Sequence, residues 1–199
     1  MAHRNGNKLL KMVTELLDFQ KVEQSAEQVR LQDIELPMLL RVQLEKFVLA
    51  AQEKHIQLCI ETCPQQQIHS DVKMMDLILE NLLSNAIKYT PQGGKVTLSA
   101  SVEGKMAMIH VCDTGIGIPK AEIKSIFKTF FRASNAINSQ EMGSGLGLML
   151  TRKLVEKLGG KLSFVSEEGK GTTFCVKMPL GHVTDSSVRL VGEKKNVAT

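Results

Sequence analysis

Two glycine-rich segments carry residue types that could bind a nucleotide. The first is DTGIGIP at residues 113–119, which begins with an acid, and the second is GSGLGL at residues 143–148. Glycines let the backbone approach a ligand closely, and backbone amides at a helix N-terminus attract phosphate oxygens. Because short glycine patterns also occur in ordinary turns, either segment alone is equally consistent with a tight connection between two elements.

A segment further upstream adds polar side chains to these turns. Residues 77–90 have helical periodicity and end before Pro91, so Asn81, Asn85 and Lys88 share one face beside an apolar stripe. Mg²⁺ prefers hard oxygen ligands and keeps several waters, so amide oxygens and nucleotide phosphates form a suitable set. The ammonium of Lys88 would offset phosphate charge. This face alone is also consistent with a solvated helix surface, but the three segments together predict a nucleotide pocket.

The order of the motifs closely resembles the ATP-binding domain of sensor histidine kinases. These belong to the superfamily that also contains gyrase, the ninety-kilodalton heat-shock chaperone and mismatch-repair ATPases. NLLSNAIKYT is similar to the N box of the family, DTGIGIP to its first glycine box, IFKTFFR to its F box, and GSGLGLMLTRKLVEKLGGKLSFVSEEGKGTTF to its second glycine box and following strands. The resemblance covers residues 30–180, with a weaker match of residues 9–23 to the end of the family's dimerisation hairpin.

The resemblance implies roles for the matched residues. Asp113 would recognise adenine by accepting a hydrogen bond from its exocyclic amine. Asn85, with Asn81, would hold Mg²⁺. The implied catalytic set is Asn81, Lys88 and Arg132, the last as a candidate phosphate contact from the F box. The other implied nucleotide-binding residues are Tyr89, Gly115, Gly117, Gly143, Gly145, Leu146, Gly147, Leu148 and Thr172.

Hydrophobic periodicity predicts a mixed sheet with helices on one face, which is an α/β sandwich. The resemblance implies the two-layer Bergerat-type ATP-binding fold, plus an N-terminal helix. We predict a short strand between Arg30 and Pro37 and further strands at 56–61, 96–102, 106–112, 162–166 and 173–178. Helices are predicted at 7–24, after Pro37, at 77–90, from Pro119 into the F box, and before Gly159-Gly160. The F-box aromatics are expected to be mostly structural, and residues 133–142 are expected to form a mobile nucleotide lid.

The predicted organisation has three parts. Residues 1–24 would be a remnant of the second helix of the dimerisation and phosphoacceptor hairpin, residues 25–180 the catalytic ATP-binding domain, and residues 181–199 a linker or tail. The chain has 199 residues, 43% of them hydrophobic, which suits one principal domain. A net charge of +4 with intermixed acids and bases does not indicate nucleic-acid binding.

The sequence has no apolar run of membrane-helix length, and its start does not resemble a signal peptide. The four cysteines are scattered, which favours reduced thiols in the cytoplasm over a zinc site, with Cys112 and Cys175 as small core residues on strands. The resemblance implies that the parent protein is a homodimeric, membrane-bound bacterial sensor.

The phosphoacceptor box of the family, a His followed by an acid, Arg, Thr and Pro, does not occur in this sequence. None of the histidines fits it; they are His3, His55, His69, His110 and His182. We therefore expect a kinase fragment that donates the γ-phosphoryl of ATP to a His outside this chain. The implied partners are the phosphoacceptor hairpin of the parent and the receiver domain of a response regulator, whose Asp accepts the phosphoryl group next.

Three alternatives remain open. A protein-serine kinase of the anti-sigma type shares the fold but usually lacks an F box like the one at residues 126–132. A hydrolysing ATPase would need an acid where Asn81 stands, because a neutral amide cannot activate water as a base. The third alternative is an interaction module that binds a nucleotide without catalysis.

Overall fold

The computed structural model describes residues 29–138 and 144–181. The strands are β1 (Gln32–Glu35), β2 (Gln57–Ile60), β3 (Gln67–Ser70), β4 (Lys95–Glu103), β5 (Met106–Asp113), β6 (Lys161–Glu167) and β7 (Gly171–Pro179). The helices are α1 (Leu36–Glu45), α2 (Val48–Glu53), α3 (Val72–Tyr89), α4 (Ser134–Asn138) and α5 (Gly147–Lys157). The predicted helix at 7–24, part of the predicted lid, Gly143 and the tail from 182 onward lie outside the described residues.

The main sheet has five strands in the order β2-β4-β5-β7-β6. Strand β2 is parallel to β4 and the other neighbours are antiparallel, which confirms the predicted mixed sheet. The register aligns Leu98, Val111 and Phe174 across three strands, and all three are buried. Helices α1, α3 and α5 contribute buried residues to the same core cluster. The core therefore lies between one face of the sheet and these helices.

The other face of the sheet carries smaller and more polar side chains. One row aligns Thr97, Cys112 and Thr173, and it continues on β6 with Val165, whose exposed fraction is 78%. Cys175 is buried, as we expected, and Cys112 is only partly buried. Both lie on this outer face and outside the core cluster between the sheet and the helices. Val111 and Asp113, the neighbours of Cys112 in sequence, point to the core side, and Cys175 pairs with His110, which has the same strand parity as Cys112.

A second sheet pairs β1 with β3, and β3 was missed by the sequence analysis. The two strands are antiparallel, with Ile34 opposite Ile68. Ile68 is fully buried and also forms an isolated bridge with Leu180, at the end of the domain. A strand of four residues with one apolar side chain gives too short an alternation to be recognised in the sequence.

Helix α3 confirms the prediction for residues 77–90 and begins earlier, at Val72. Asp71 caps its N-terminus: Oδ1 accepts from Met74 N at 3.1 Å, and Oδ2 accepts from Arg30 N at 2.9 Å. At the other end, Lys54 Nζ donates to the carbonyl oxygens of Ile87 (3.2 Å) and Lys88 (2.7 Å). The helix that carries the candidate ligands is therefore capped at its N-terminus by Asp71, which also bonds the backbone of Arg30, and at its C-terminus by Lys54 from a distant part of the chain.

The helix predicted to start at Pro119 and to run into the F box is wrong. The segment contains only a 3-10 helix at Ile123–Ser125, and consecutive bonds link residues three apart, such as Glu122 N to Pro119 O and Lys128 N to Ser125 O. Phe130 has a positive φ of 59°, which an α-helix does not allow. A series of tight turns therefore replaces the helix and brings the chain back to the start of α5.

Candidate functional site

A cleft opens between α3, the carboxyl end of β5 and the start of α5. The space between its walls, with the open solvent at its mouth included, is about 1080 Å³. The residues predicted from the sequence that line it are Asn81, Asn85, Lys88, Tyr89, Asp113, Gly117, Arg132, Gly145, Gly147, Leu148 and Thr172. Gly115 and Leu146 lie next to lining residues without lining the cleft, and Gly143 is outside the described part of the chain.

Asp113 is the last residue of β5, and its side chain is 9% exposed. Its Oδ1 accepts from Gly115 N at 2.8 Å and from Thr172 N at 3.2 Å. Burial raises the pKa of Asp113 from 3.8 to about 6, although these two backbone hydrogen bonds act in the opposite direction. Because both bonds use Oδ1, Oδ2 is the carboxylate oxygen that can accept from a ligand.

The first glycine segment packs against the turn between β6 and β7. Gly117 has a φ of +62°, and a Cβ at this position would lie 2.0 Å from the carbonyl oxygen of Glu167. The amide of Gly169 donates to Ile116 O at 2.8 Å. Gly117 is therefore required both by its backbone conformation and by the close approach of the hairpin. This contact holds the loop after Asp113 in place at the wall of the cleft.

Ser166 was missed by the sequence analysis, although it connects this loop to Thr172. Its Oγ accepts from Ile118 N at 2.9 Å and lies 2.8 Å from Thr172 Oγ1 and 3.1 Å from Gly171 O. Ser166 stands directly opposite Thr172 in the β6–β7 register. The sequence does contain one signal, because Ser166 has the same strand parity as Leu162 and Phe164, which face the core.

Polar side chains of α3 make hydrogen bonds to α5 and to one another toward the C-terminal end of α3. Asn81 Nδ2 donates to Thr151 Oγ1 at 2.7 Å, and Asn85 Nδ2 lies 3.5 Å from Asn81 Oδ1. Lys88 Nζ donates to the hydroxyl of Tyr89 at 2.8 Å and lies 4.4 Å from the centre of its ring. Thr151 was also missed by the sequence analysis, because a threonine inside an amphipathic helix gives no distinctive pattern.

The F box forms the rim of the cleft near the start of α5. Phe127 packs edge-on against Phe164, with ring centres 5.7 Å apart, which confirms a structural role for this aromatic. Phe130 departs from the expectation, since it is 66% exposed. Arg132 lines the cleft, and its Nη2 donates to Ala136 O at 3.1 Å. Its guanidinium thus contacts the backbone of α4, and the phosphate role predicted for it stays a prediction.

The donor atoms in the cleft are compatible with a metal ion only when a bound ligand also coordinates that ion. Within residues 29–138 and 144–181, no group of three or more His, Cys, Asp or Glu side chains could hold a metal. Asn81 and Asn85 do line the cleft and carry amide oxygens. These donors fit Mg²⁺, which is commonly bound through one or two protein oxygens plus substrate phosphates and waters.

In the described residues, no helix combines the length and apolar character needed to cross a membrane.

Comparisons with known proteins agree with this geometry. Residues 70–182 match the family described as histidine kinase-, DNA gyrase B- and HSP90-like ATPase. The circadian input-output histidine kinase CikA of Synechococcus elongatus is 36% identical over 180 residues, which cover 89% of this chain and 24% of that protein. The sensor histidine kinase WalK of Bacillus subtilis is 31% identical over 183 residues, covering 90% of this chain and 30% of that protein. The chain thus spans about a quarter to a third of the length of these relatives.

Two solved structures are similar over most of the fold. Full-length ShkA in complex with AMPPNP has a TM-score of 0.78 at 30% identity, covering 89% of this chain and 37% of that one. The catalytic domain of histidine kinase ThkA has a TM-score of 0.66 at 27% identity, covering 75% of this chain and 95% of that one. The family match covers more than half of this chain and includes α3, both glycine segments and the β6–β7 hairpin. The chain belongs to the histidine kinase-, DNA gyrase B- and HSP90-like ATPase family, as a catalytic ATP-binding domain of the sensor histidine kinase type.

Proposed function

We propose that this chain binds ATP with Mg²⁺ and donates the γ-phosphoryl group to a His that lies outside it. The main observation in support is the position of Asp113, nearly buried at the base of the cleft, with the amides and ammonium of α3 along the same cleft. A base-recognition group and phosphate-binding groups thus share one site. The AMPPNP complex of ShkA, a similar structure, is consistent with the same ligand class here.

Asp113 is the proposed adenine contact. Its Oδ2 would accept from the exocyclic amine of adenine, while Thr172 borders the base from β7. Guanine has a carbonyl oxygen at the corresponding position, which is an acceptor and would face the carboxylate unfavourably. A site built to accept a hydrogen bond rejects a ligand that cannot donate one, because its buried polar group is then left unpaired. We therefore expect a strong preference for ATP over GTP.

The phosphates are proposed to lie between α3 and the start of α5. Bound Mg²⁺ would neutralise phosphate charge, and Asn85, with Asn81 beside it, would hold the ion. Lys88 would exchange its bond with the Tyr89 hydroxyl for a phosphate oxygen. The backbone amides at the N-terminus of α5, including that of Gly147, would meet phosphate charge there.

The proposed reaction is transfer of a phosphoryl group to an imidazole. The nitrogen of the acceptor His forms a bond to the γ-phosphorus as the bond to the β–γ bridging oxygen breaks, and ADP leaves. Such reactions depend mainly on positioning and charge neutralisation, which are the functions assigned here to Lys88, Asn81 and Arg132. Asn81 carries a neutral amide and cannot deprotonate water, so we expect little ATP hydrolysis.

The proposed partners follow from membership of the sensor kinase group. They are the phosphoacceptor hairpin of a homodimeric parent and the receiver domain of a response regulator, which takes the phosphoryl group on an Asp. We place the domain in the cytoplasm, as part of a membrane-bound sensor.

Calorimetric titration tests this proposal directly. We expect saturable binding of ATP, stronger with Mg²⁺ than with a chelator, and at least about tenfold weaker binding of GTP. Asp113→Ala should abolish the preference for ATP, while Asp33→Ala, a change of an acid outside the cleft, should keep it. Absence of ATP binding by the unaltered chain would refute the proposed function, and steady phosphate release would favour a hydrolysing ATPase instead.

A further inference from the structure

Thr151 lies in the segment that follows the second glycine turn and has no role assigned from the sequence, yet it is almost completely buried against the polar face of α3. It is 1% exposed and lies one turn after Gly147, so both residues face the same side of α5. Its Oγ1 accepts the 2.7 Å hydrogen bond from Asn81 Nδ2. A buried hydroxyl in this position fixes the side-chain amide that it touches.

This hydrogen bond accompanies one of the two possible orientations of the Asn81 amide. Since Nδ2 of Asn81 points to Thr151, its Oδ1 points the other way, and Asn85 Nδ2 lies 3.5 Å from that oxygen. The Asn85 amide therefore has its nitrogen turned toward Asn81. Its oxygen is on the opposite side of the amide, which leaves this oxygen for a ligand in the cleft that Asn85 lines.

The absence of a side chain at Gly147 leaves room for the side chain of Asn81. A Cβ on Gly147 would lie 2.3 Å from Asn81 Oδ1 and 3.0 Å from its Cγ. Such distances are not compatible with the observed position of Asn81. Two residues of α5, four apart, thus hold the Asn81 amide: Gly147 by leaving room and Thr151 by accepting a hydrogen bond.

We propose that Thr151 is a positioning residue that, through Asn81, turns the amide oxygen of Asn85 toward the metal bound with the nucleotide. This inference rests on the proposed function, because it concerns the Mg²⁺-dependent part of ATP binding. Without the Thr151 acceptor, the Asn81 amide can rotate by half a turn. Asn85 then turns its oxygen toward the Asn81 NH₂ group and presents its own NH₂ group, which cannot ligate a cation.

Valine and serine at position 151 separate this role from simple packing. Thr151→Val keeps the shape and removes the acceptor, whereas Thr151→Ser keeps the hydroxyl and removes a methyl group. We expect Thr151→Val to reduce the enhancement of ATP affinity by Mg²⁺ about fivefold to tenfold, the effect of one net hydrogen bond, and to leave ATP affinity in chelator unchanged. Thr151→Ser should restore the enhancement. Thr97→Val, a buried threonine on the outer face of the sheet, is the matched control and should behave as the unaltered chain.

A second measurement requires no nucleotide. The side-chain amide signals of Asn81 and Asn85 in ¹⁵N-labelled protein should shift in Thr151→Val and stay close to their original positions in Thr151→Ser. The inference is overturned if Thr151→Val keeps the full Mg²⁺ enhancement, if it weakens ATP binding equally with and without Mg²⁺, or if the amide signals do not move. If the unaltered chain binds no ATP, the proposed function fails, and the amide signals alone still show whether Thr151 orients the two amides.

Discussion

We predict that the buried carboxyl of Asp113 makes nucleotide binding sensitive to mild acid. With its pKa raised to about 6 by burial, Asp113 is about nine-tenths ionised at pH ~7 and about one-tenth ionised at pH ~5. In the proposed complex, only the ionised group would offer Oδ2 as a full acceptor to the adenine amine. We therefore expect the affinity for ATP to fall about tenfold between these pH values, and about half a proton to be released per nucleotide bound near pH ~6.

The effect of Asp113 on the stability of the free domain has the opposite pH dependence, because acid is expected to increase stability where it decreases ATP affinity. The folded pKa of Asp113, about 6, lies above its ordinary value of 3.8. Its contribution to stability is therefore complete below about pH 3.8 and is lost as the pH rises through about 6. At ~1.36 kcal/mol per pH unit, this difference amounts to at most about 3 kcal/mol of unfolding free energy. Protonation of Asp113 is thus expected to stabilise the free domain and to weaken nucleotide binding.

Calorimetry at several pH values, in buffers of different ionisation enthalpy, measures both the affinity and the protons released. Asp113→Asn is the control, since it keeps the shape and has no carboxyl to titrate. Dividing the two affinities at each pH removes the titration of the nucleotide phosphates. If this ratio is constant from pH ~5 to ~7, the buried carboxyl does not titrate in this range and the argument is refuted. Urea unfolding of the same two proteins tests the predicted change in stability.

Other changes test the neighbouring contacts. Ser166→Ala removes the hydroxyl between Ile118 N and Thr172, so ATP affinity should fall about threefold to tenfold by calorimetry; an unchanged affinity would argue against a link between the hairpin and the adenine site. Gly117→Ala would bring a Cβ within 2.0 Å of the Glu167 carbonyl oxygen, so thermal unfolding should show a loss of more than about 2 kcal/mol. Lys54→Met removes two hydrogen bonds to the end of α3, and urea unfolding should show a loss of about 1 kcal/mol; an equal loss at high salt would contradict the electrostatic part of this effect.

Long periodic segments were predictable from the sequence, whereas short and strained ones were not. Helix α3 combines a continuous apolar stripe with a polar face, and β4, β5 and β7 have buried residues at strand spacing. By contrast, the F box contains aromatics that look helical, but Phe130 adopts a positive φ, and a Cβ on Gly145 would lie 2.7 Å from its carbonyl carbon. That packing involves residues 15 positions apart in the sequence, and local propensity does not encode it.

The same distinction between local patterns and long-range contacts applies to the residues of the candidate site. Asp113, Asn85 and Lys88 belong to motifs with a recognisable order, and the structure brings them into one cleft. Ser166 and Thr151 are ordinary hydroxyl residues in a strand and a helix, and only their positions in the folded chain reveal what they hold. Their importance lies in pairing with residues distant in sequence, which no single-sequence pattern reports.

The side chain of Asp71 links the N-terminus of α3 to the segment that precedes β1. One carboxylate oxygen holds the first turn of α3, and the other holds the amide of Arg30, where the described chain enters the domain. From Asp71 to Asn85, helix α3 extends about 21 Å, at ~1.5 Å per residue. A force on the chain ahead of Arg30 would therefore act on one end of this helix, and the residues proposed to bind the nucleotide lie toward its other end. We expect tension on the entering chain to reach α3 through this bond as well as β1 through the backbone, so that a force at this point can change the position of the helix that carries the candidate site.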